Sequence, residues 1–276
     1  MNLVDELVET IREAVSSIPV DVESSLIKAC EEEESELAKA QLKAIIENIK
    51  LARRYRLPVC QDTGVLHFYV EYGVERGTSM LSLKEAIIEA TRKATEAVPL
   101  RPNIVHPLTR VNSGDNTGIL VPIIDWSIVK GREVKVVVIP KGAGSENVSK
   151  AAVLPPALGA KGVKRFVLKC VAEALGKPCP PTVIGVGIGG SVELAAKIAK
   201  RSFLRPIGCR HEDPFVASLE EDTLKAVNSL GIGPMGLGGK TTSLDVKVEV
   251  AYTHTASMPV AVSFQCWALR RAALTL

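Results

Sequence analysis

Six cysteines, at positions 30, 60, 170, 179, 209 and 266, have the widest chemical reach in this sequence, because a thiolate serves as nucleophile, redox centre or soft-metal ligand. No two form a Cys-x-x-Cys pair, so their spacing fits neither a zinc ribbon, a ferredoxin run nor a thioredoxin-type motif. Cys30, beside Leu26 and Ile27, and Cys170, on the stripe Val163, Phe166, Val167, Val171 and Ala174, read as small buried hydrophobes on helices. Cys60 and Cys179 differ. Pro58 lies just before the first, and Pro178, Pro180 and Pro181 bracket the second, giving stiff, non-helical backbone that suits a rigidly held ligand. Cys266 follows the strand-like run Val260–Phe264 and precedes Trp267, whereas Cys209 lies in the loop Pro206–His211. Composition does not choose between these two. Widely spaced single cysteines can converge on one metal centre, and scattered thiols are the alternative.

Glycine and small polar residues collect at 60–64 (Cys-Gln-Asp-Thr-Gly), 112–118 (Asn-Ser-Gly-Asp-Asn-Thr-Gly), 141–147 (Lys-Gly-Ala-Gly-Ser-Glu-Asn), 185–191 and 231–242. Any one of these could be an ordinary turn. Together they favour a cradle in which backbone N–H groups approach an anion closely. Gly185-Val-Gly-Ile-Gly-Gly190 formally matches a dinucleotide fingerprint, but no second strand ending in an acidic residue about 20 positions on accompanies it. A nicotinamide-dependent dehydrogenase would rest on that run alone. His67, His106 and His211 read as structural.

The elements that must position these loops follow from periodicity. Leu3, Leu7, Ile11, Ala14, Val15 and Ile18 recur at helical spacing, and after Pro19 the pattern resumes, making 1–57 a helical segment. Further helices are expected over about 83–98, 161–175 and 191–201. Strand-like, β-branched runs occupy Val65–Glu71, Ile119–Trp126, Val134–Ile139, Thr182–Val186 and Ser243–Tyr252. The order is not a strict βαβ repeat. It predicts an α/β (α+β) fold with helices packed on mixed β-sheets, organised as one domain over 1–276 in which the helical segment 1–57 packs on an α/β core, 58–276.

The 276 residues, 46% of them hydrophobic, suffice for a substantial core. The net charge of +3 arises from 34 basic and 31 acidic residues spread along the chain, with no basic stripe for nucleic acid. The acidic, amphipathic start is unlike a secretory signal, and no apolar run is long enough for a bilayer, so a cytoplasmic protein with reduced thiols is expected.

Read as an ordered set, Cys60-Gln-Asp-Thr-Gly64, Leu100-Arg-Pro102, Asn112–Gly118, Lys141–Asn147, Pro178-Cys-Pro-Pro181, Gly187–Gly190 and Cys266-Trp-Ala-Leu-Arg-Arg271 resemble the α subunit of class I fumarate hydratases and L(+)-tartrate dehydratases. The resemblance runs from about residue 50 to 271. It implies a [4Fe-4S] cluster on Cys60, Cys179 and Cys266, leaving Cys209 outside. Three ligands for four irons would leave one iron open as a Lewis acid toward a substrate carboxylate and hydroxyl. The resemblance further implies that Arg101 grips a substrate carboxylate and that Gln61 and Asp62 face the substrate. Asp62 would be a proton-transfer group, Gly142 and Ser145 would form a substrate loop, and His254 would stand close to the active site. The expected reaction is reversible dehydration of a 2-hydroxy dicarboxylate, malate to fumarate as in the tricarboxylic acid cycle, or L-tartrate as the alternative. In this family the proton-abstracting residue and further cationic residues lie in a C-terminal domain or a β subunit. A β partner, in an α2β2 assembly, is therefore expected. A metal-free scaffold or interaction subunit is the reading of another class.

Overall fold

A computed structural model describes residues 2–77 and 79–276. In chain order the helices are α1 (Leu3–Ser16), α2 (Val20–Glu32), α3 (Glu36–Tyr55), α4 (Met80–Ala97), the single turn α5 (Ala143–Glu146), α6 (Gly159–Ala174), α7 (Val192–Arg201) and α8 (Pro214–Asn228). The strands are β1 (Val65–Gly73), β2 (Ile123–Val129), β3 (Val134–Lys141), β4 (Lys150–Leu154), β5 (Thr182–Ile188), β6 (Ser243–Val250), β7 (Met258–Gln265) and β8 (Ala272–Thr275). Two four-stranded mixed sheets with helices on them make this the α+β fold that the sequence predicts. The chain divides into two compact units, Met1–Pro19 with Asn48–Ala143 and Arg270–Leu276, and Val20–Glu47 with Gly144–Leu269.

The first unit carries the sheet β2-β1-β3-β8, in which β1 runs parallel to β2 and antiparallel to β3. Asn2 caps α1 by accepting the Asp5 N–H at 2.9 Å. The apolar stripe Leu7, Ile11, Ala14 and Val15 packs with Leu83, Ile87, Ala90 and Ala94 of α4 over Phe68, Val70, Val136 and Val138 of the sheet. One expected strand starts late. Ile119–Pro122 is not extended with β2 but forms a tight turn, in which the N–H groups of Gly118 and Val121 each donate to the other's carbonyl, at 2.9 and 3.1 Å. The β-branched pattern there cannot reveal the turn, because Leu120 adopts φ +60°, a conformation that residue type rarely takes.

The second unit carries the sheet β4-β7-β5-β6, with β5 parallel to β6 and antiparallel to β7. The period-2 alternation of β5 sends Ile184 and Val186 into a core with Val163, Val167, Cys170 and Val171 of α6 and Val216 and Val227 of α8. Its opposite face is Gly185 and Gly187, onto which α7 packs directly. A Cβ on Gly187 would lie 1.9 Å from the Ala195 carbonyl oxygen and 2.8 Å from the Ala199 nitrogen. The first two glycines of the fingerprint thus serve helix–strand contact within the strand itself. Gly187→Ala should cost about 3 kcal/mol by overpacking against backbone that cannot yield. A urea titration of the purified chain checks this, through a lowered midpoint with unchanged slope. No helix among the described residues is long and apolar enough to cross a membrane.

Candidate active site

In the first unit the Cys60–Gly64 loop leads into β1, and the Asp62 carboxylate is fixed from three sides. Its Oδ1 accepts the Gly64 N–H at 2.9 Å and the Asn103 side-chain amide at 3.3 Å, while Oδ2 accepts the Ala143 N–H at 2.8 Å. In all three bonds the Asp62 side chain is the acceptor. The Asp62 backbone carbonyl accepts a further bond from the Arg270 guanidinium, at 3.2 Å. Gly142 sits so close that a Cβ there would meet Asp62 Oδ2 at 3.2 Å, and Gly64, at φ +80°, passes Lys141 where any Cβ would clash with backbone at 2.8 Å. Glycine at these two positions lets the 60–64 and 141–143 segments touch.

The 112–118 loop braces the segment that carries Arg101. Buried Asn116, at φ +59°, accepts the Asn103 N–H at 2.8 Å and donates to the Arg101 carbonyl and the Thr95 hydroxyl, each at 3.1 Å. Asn112 donates to the Pro102 carbonyl at 2.9 Å. The Arg101 backbone is therefore held while its side chain is exposed, the arrangement needed to present a guanidinium to an anion. Gln61 is exposed, Asp62 and Cys60 are half-buried, and Gly142 is buried. Asn116 and Arg270 fall within the 112–118 and 266–271 motifs without a role that the motifs assign, and Asn103 falls outside every motif. Their signal is geometric: one side-chain amide spanning two loops cannot be seen from spacing.

In the second unit Cys179 and Cys266 stand at the same end of the sheet, just before β5 and just after β7, and the Trp267 N–H donates to the Cys179 carbonyl at 3.1 Å. Cys179 adopts φ +56°, a strained conformation for a residue with a Cβ, which typically costs on the order of 1–2 kcal/mol. It is sustained by that bond and by its own N–H to the Gly176 carbonyl at 3.0 Å. Ser145 is buried, and a Cβ on neighbouring Gly144 would lie 3.1 Å from the Lys177 carbonyl, so this loop runs beside the Cys179 segment. His254 stands elsewhere. It lies between β6 and β7, at the end of the sheet opposite Cys179 and Cys266, a separation of roughly 20 Å for seven residues at about 3.3 Å each. Its ring is exposed, and Nδ1 accepts the Ala256 N–H at 3.2 Å.

The six thiols sort into three environments. Cys30 and Cys170 are buried, and burial pushes the Cys170 thiol up to about 11, keeping it protonated and inert. Cys209 is exposed, while Cys60, Cys179 and Cys266 are all half-buried. Among the described residues no three His, Cys, Asp or Glu side chains gather into a cage for a single metal ion. The donor set suits a polynuclear iron–sulfur group better, because each thiolate there holds its own iron and three singly placed cysteines suffice. Beside Cys266, the buried Gln265 Nε2 meets no acceptor of the protein, a spare N–H donor of the kind that hydrogen-bonds to cluster sulfurs. The residues therefore fit such a group.

A family model described as fumarate hydratase (fumerase) matches residues 4–275. The chain is similar to the putative L(+)-tartrate dehydratase subunit alpha of Methanocaldococcus jannaschii, at 50% identity over 99% of this chain and 96% of that protein. It is also similar to the L(+)-tartrate dehydratase subunits alpha of Escherichia coli strains UTI89 and K12, at 38% and 37% identity, each over 99% of this chain and 91% of theirs.

Proposed function

Because the chain belongs to the fumarate hydratase family, we propose that it is the α subunit of an iron–sulfur hydro-lyase that reversibly dehydrates a 2-hydroxy dicarboxylate, with malate and fumarate as the preferred pair. The observation that carries this reading is the Asp62 carboxylate, pinned by three hydrogen-bond donors two residues beyond Cys60. A group held that firmly can meet a leaving hydroxyl in one orientation and move a proton to or from it.

Cys60, Cys179 and Cys266 would hold the [4Fe-4S] cluster, whose unligated iron, when the cluster is bound, supplies a Lewis acid for the substrate hydroxyl and carboxylate. Arg101 would grip a substrate carboxylate in bidentate fashion, with its backbone held by Asn116. Gln61 would orient the substrate, and Gly142 and Ser145 would form its loop. The reading gives His254, across the sheet from Cys179 and Cys266, no role at the reacting atoms. A β subunit of the same enzyme, in an α2β2 assembly, would bring the base that takes the carbon-bound proton and further cationic groups. The words "subunit alpha" in the relatives' names support that partner. The same names favour L-tartrate as the second substrate reading. Tartrate differs from malate by one hydroxyl, so a few polar contacts decide between them.

The test is an anaerobic assay of the iron-loaded α–β complex against malate, fumarate and L-tartrate. The expected result is interconversion of malate and fumarate, with no turnover by the α chain alone. Faster loss of L-tartrate would exchange the two substrate readings. An iron-loaded complex that dehydrates neither acid, or a colourless one that turns over only with nicotinamide, would sink the proposal.

A further inference from the structure

Arg270 is 2% exposed and ranks first in size among the fully buried side chains. Its Nη2 donates to the Asp62 carbonyl at 3.2 Å, while Nε and Nη1, equally shut off from solvent, meet no hydrogen-bond acceptor of the protein. No carboxylate among the described residues forms an ion pair with it. The Asp62 carboxylate, in the same unit, is already engaged by Gly64, Asn103 and Ala143. A guanidinium stays charged in any protein environment, and burying one without an anion is costly. Arg270 meets Asp62 at its backbone carbonyl, not at its carboxylate, so that contact is a hydrogen bond and not an ion pair. Asp62, however, is two residues from Cys60, so their Cα atoms are at most roughly 7 Å apart.

We propose that Arg270 is the fixed counter-charge of the anionic iron–sulfur group held at Cys60, and a positioning residue that ties the Asp62 carbonyl. The inference rests on the cluster reading above. A cluster with thiolate ligands carries net negative charge, and a buried cation a few residues from one of its ligands stabilises it through a poorly screening medium. The same charge raises the cluster's reduction potential, because the reduced form carries one more electron and gains more from a nearby cation. Arg270 is thereby distinct from Arg101, whose exposed side chain is available to substrate.

The test is anaerobic redox titration of the substrate-free α–β complex with dithionite as the electron donor, followed by electron paramagnetic resonance. Three variants are compared. Arg270→Met removes charge and donors, Arg270→Gln removes charge but keeps an N–H for the Asp62 carbonyl, and Arg270→Lys keeps charge. The expected result is a more negative potential and faster iron loss in the Met and Gln proteins, with Lys close to wild type. A wild-type complex that loads iron while Met and Gln variants keep its potential would overturn this inference and leave the cluster reading intact. A wild-type complex that takes up no iron would overturn both. Failure of both neutral variants to give folded apo-protein by circular dichroism would assign Arg270 to the fold and overturn the counter-charge.

Discussion

Anaerobically purified Cys60→Ser, Cys179→Ser and Cys266→Ser proteins are expected to come out colourless, with no dehydratase activity in the presence of the β subunit, whereas Cys209→Ser stays brown and active. The size of the effect follows from ligand chemistry. Loss of an outer hydrogen-bond partner typically weakens a metal site by roughly 10–100-fold, and loss of a thiolate removes an iron–sulfur bond outright, so retained iron should fall by more than that. Cys209 should tolerate the change because its loop is anchored through the backbone. Lys247 donates to the Cys209 and Pro206 carbonyls at 2.7 and 2.6 Å, and Arg205 donates to the Cys209 carbonyl at 3.1 Å. None of these bonds involves the exposed thiol. Iron analysis and visible absorbance decide the matter. A colourless Cys209→Ser protein beside a brown Cys266→Ser protein would mean that the third ligand is Cys209.

How far these assignments were legible in the sequence depends on the range over which each signal acts. Helices α1, α4, α6 and α7 were visible because each buries one apolar stripe, a pattern contained within the element. Helix α8 and the short edge strands β4 and β8 were not expected. Half of α8 is polar, and the edge strands have four or five residues whose character comes from their neighbours in the sheet. The helical segment expected over 1–57 is interrupted at Ser17–Pro19, as Pro19 indicates, and also between Glu32 and Glu36, where consecutive glutamates carry no periodicity, so that it forms three helices. The sequence already argues against a dinucleotide site at 185–190, which lacks the following acidic strand end, but it cannot say what the glycines do instead, since a glycine that admits a ligand and one that admits a helix look alike.

The cysteines show the same limit. Pro-bounded context already set Cys60 and Cys179 apart, but only the resemblance preferred Cys266 to Cys209. In the structure the segment that holds Cys266 meets that of Cys179, through the Trp267 N–H on the Cys179 carbonyl. Two residues 88 positions apart become neighbours only once β5 and β7 have paired, from Val183 with Gln265 to Ile188 with Val260. The contacts of Asn103 and Arg270 are not legible in the sequence for a related reason. Their partners, at Asp62, lie 41 and 208 positions away in sequence.

Asp62→Asn should separate catalysis from structure. The amide is isosteric, so the chain should fold and the α–β complex should load its cluster. However, one of the two terminal positions becomes a donor, and both positions now receive N–H groups, from Gly64 and Asn103 on Oδ1 and from Ala143 on Oδ2. At least one of those bonds must be lost, at a cost on the order of 1–3 kcal/mol for the donor left unsatisfied. The chemical effect is larger, because an amide neither accepts nor delivers a proton near neutral pH. Removing a positioned proton-transfer group lowers kcat by roughly 10²–10⁴-fold. The variant complex is thus expected to keep its colour and to melt only several degrees below wild type while kcat for malate falls by at least about 100-fold and KM changes little. A parallel rise in KM with kcat preserved would instead make Asp62 a substrate-binding carboxylate acceptor. Unchanged kcat and KM would remove it from the mechanism.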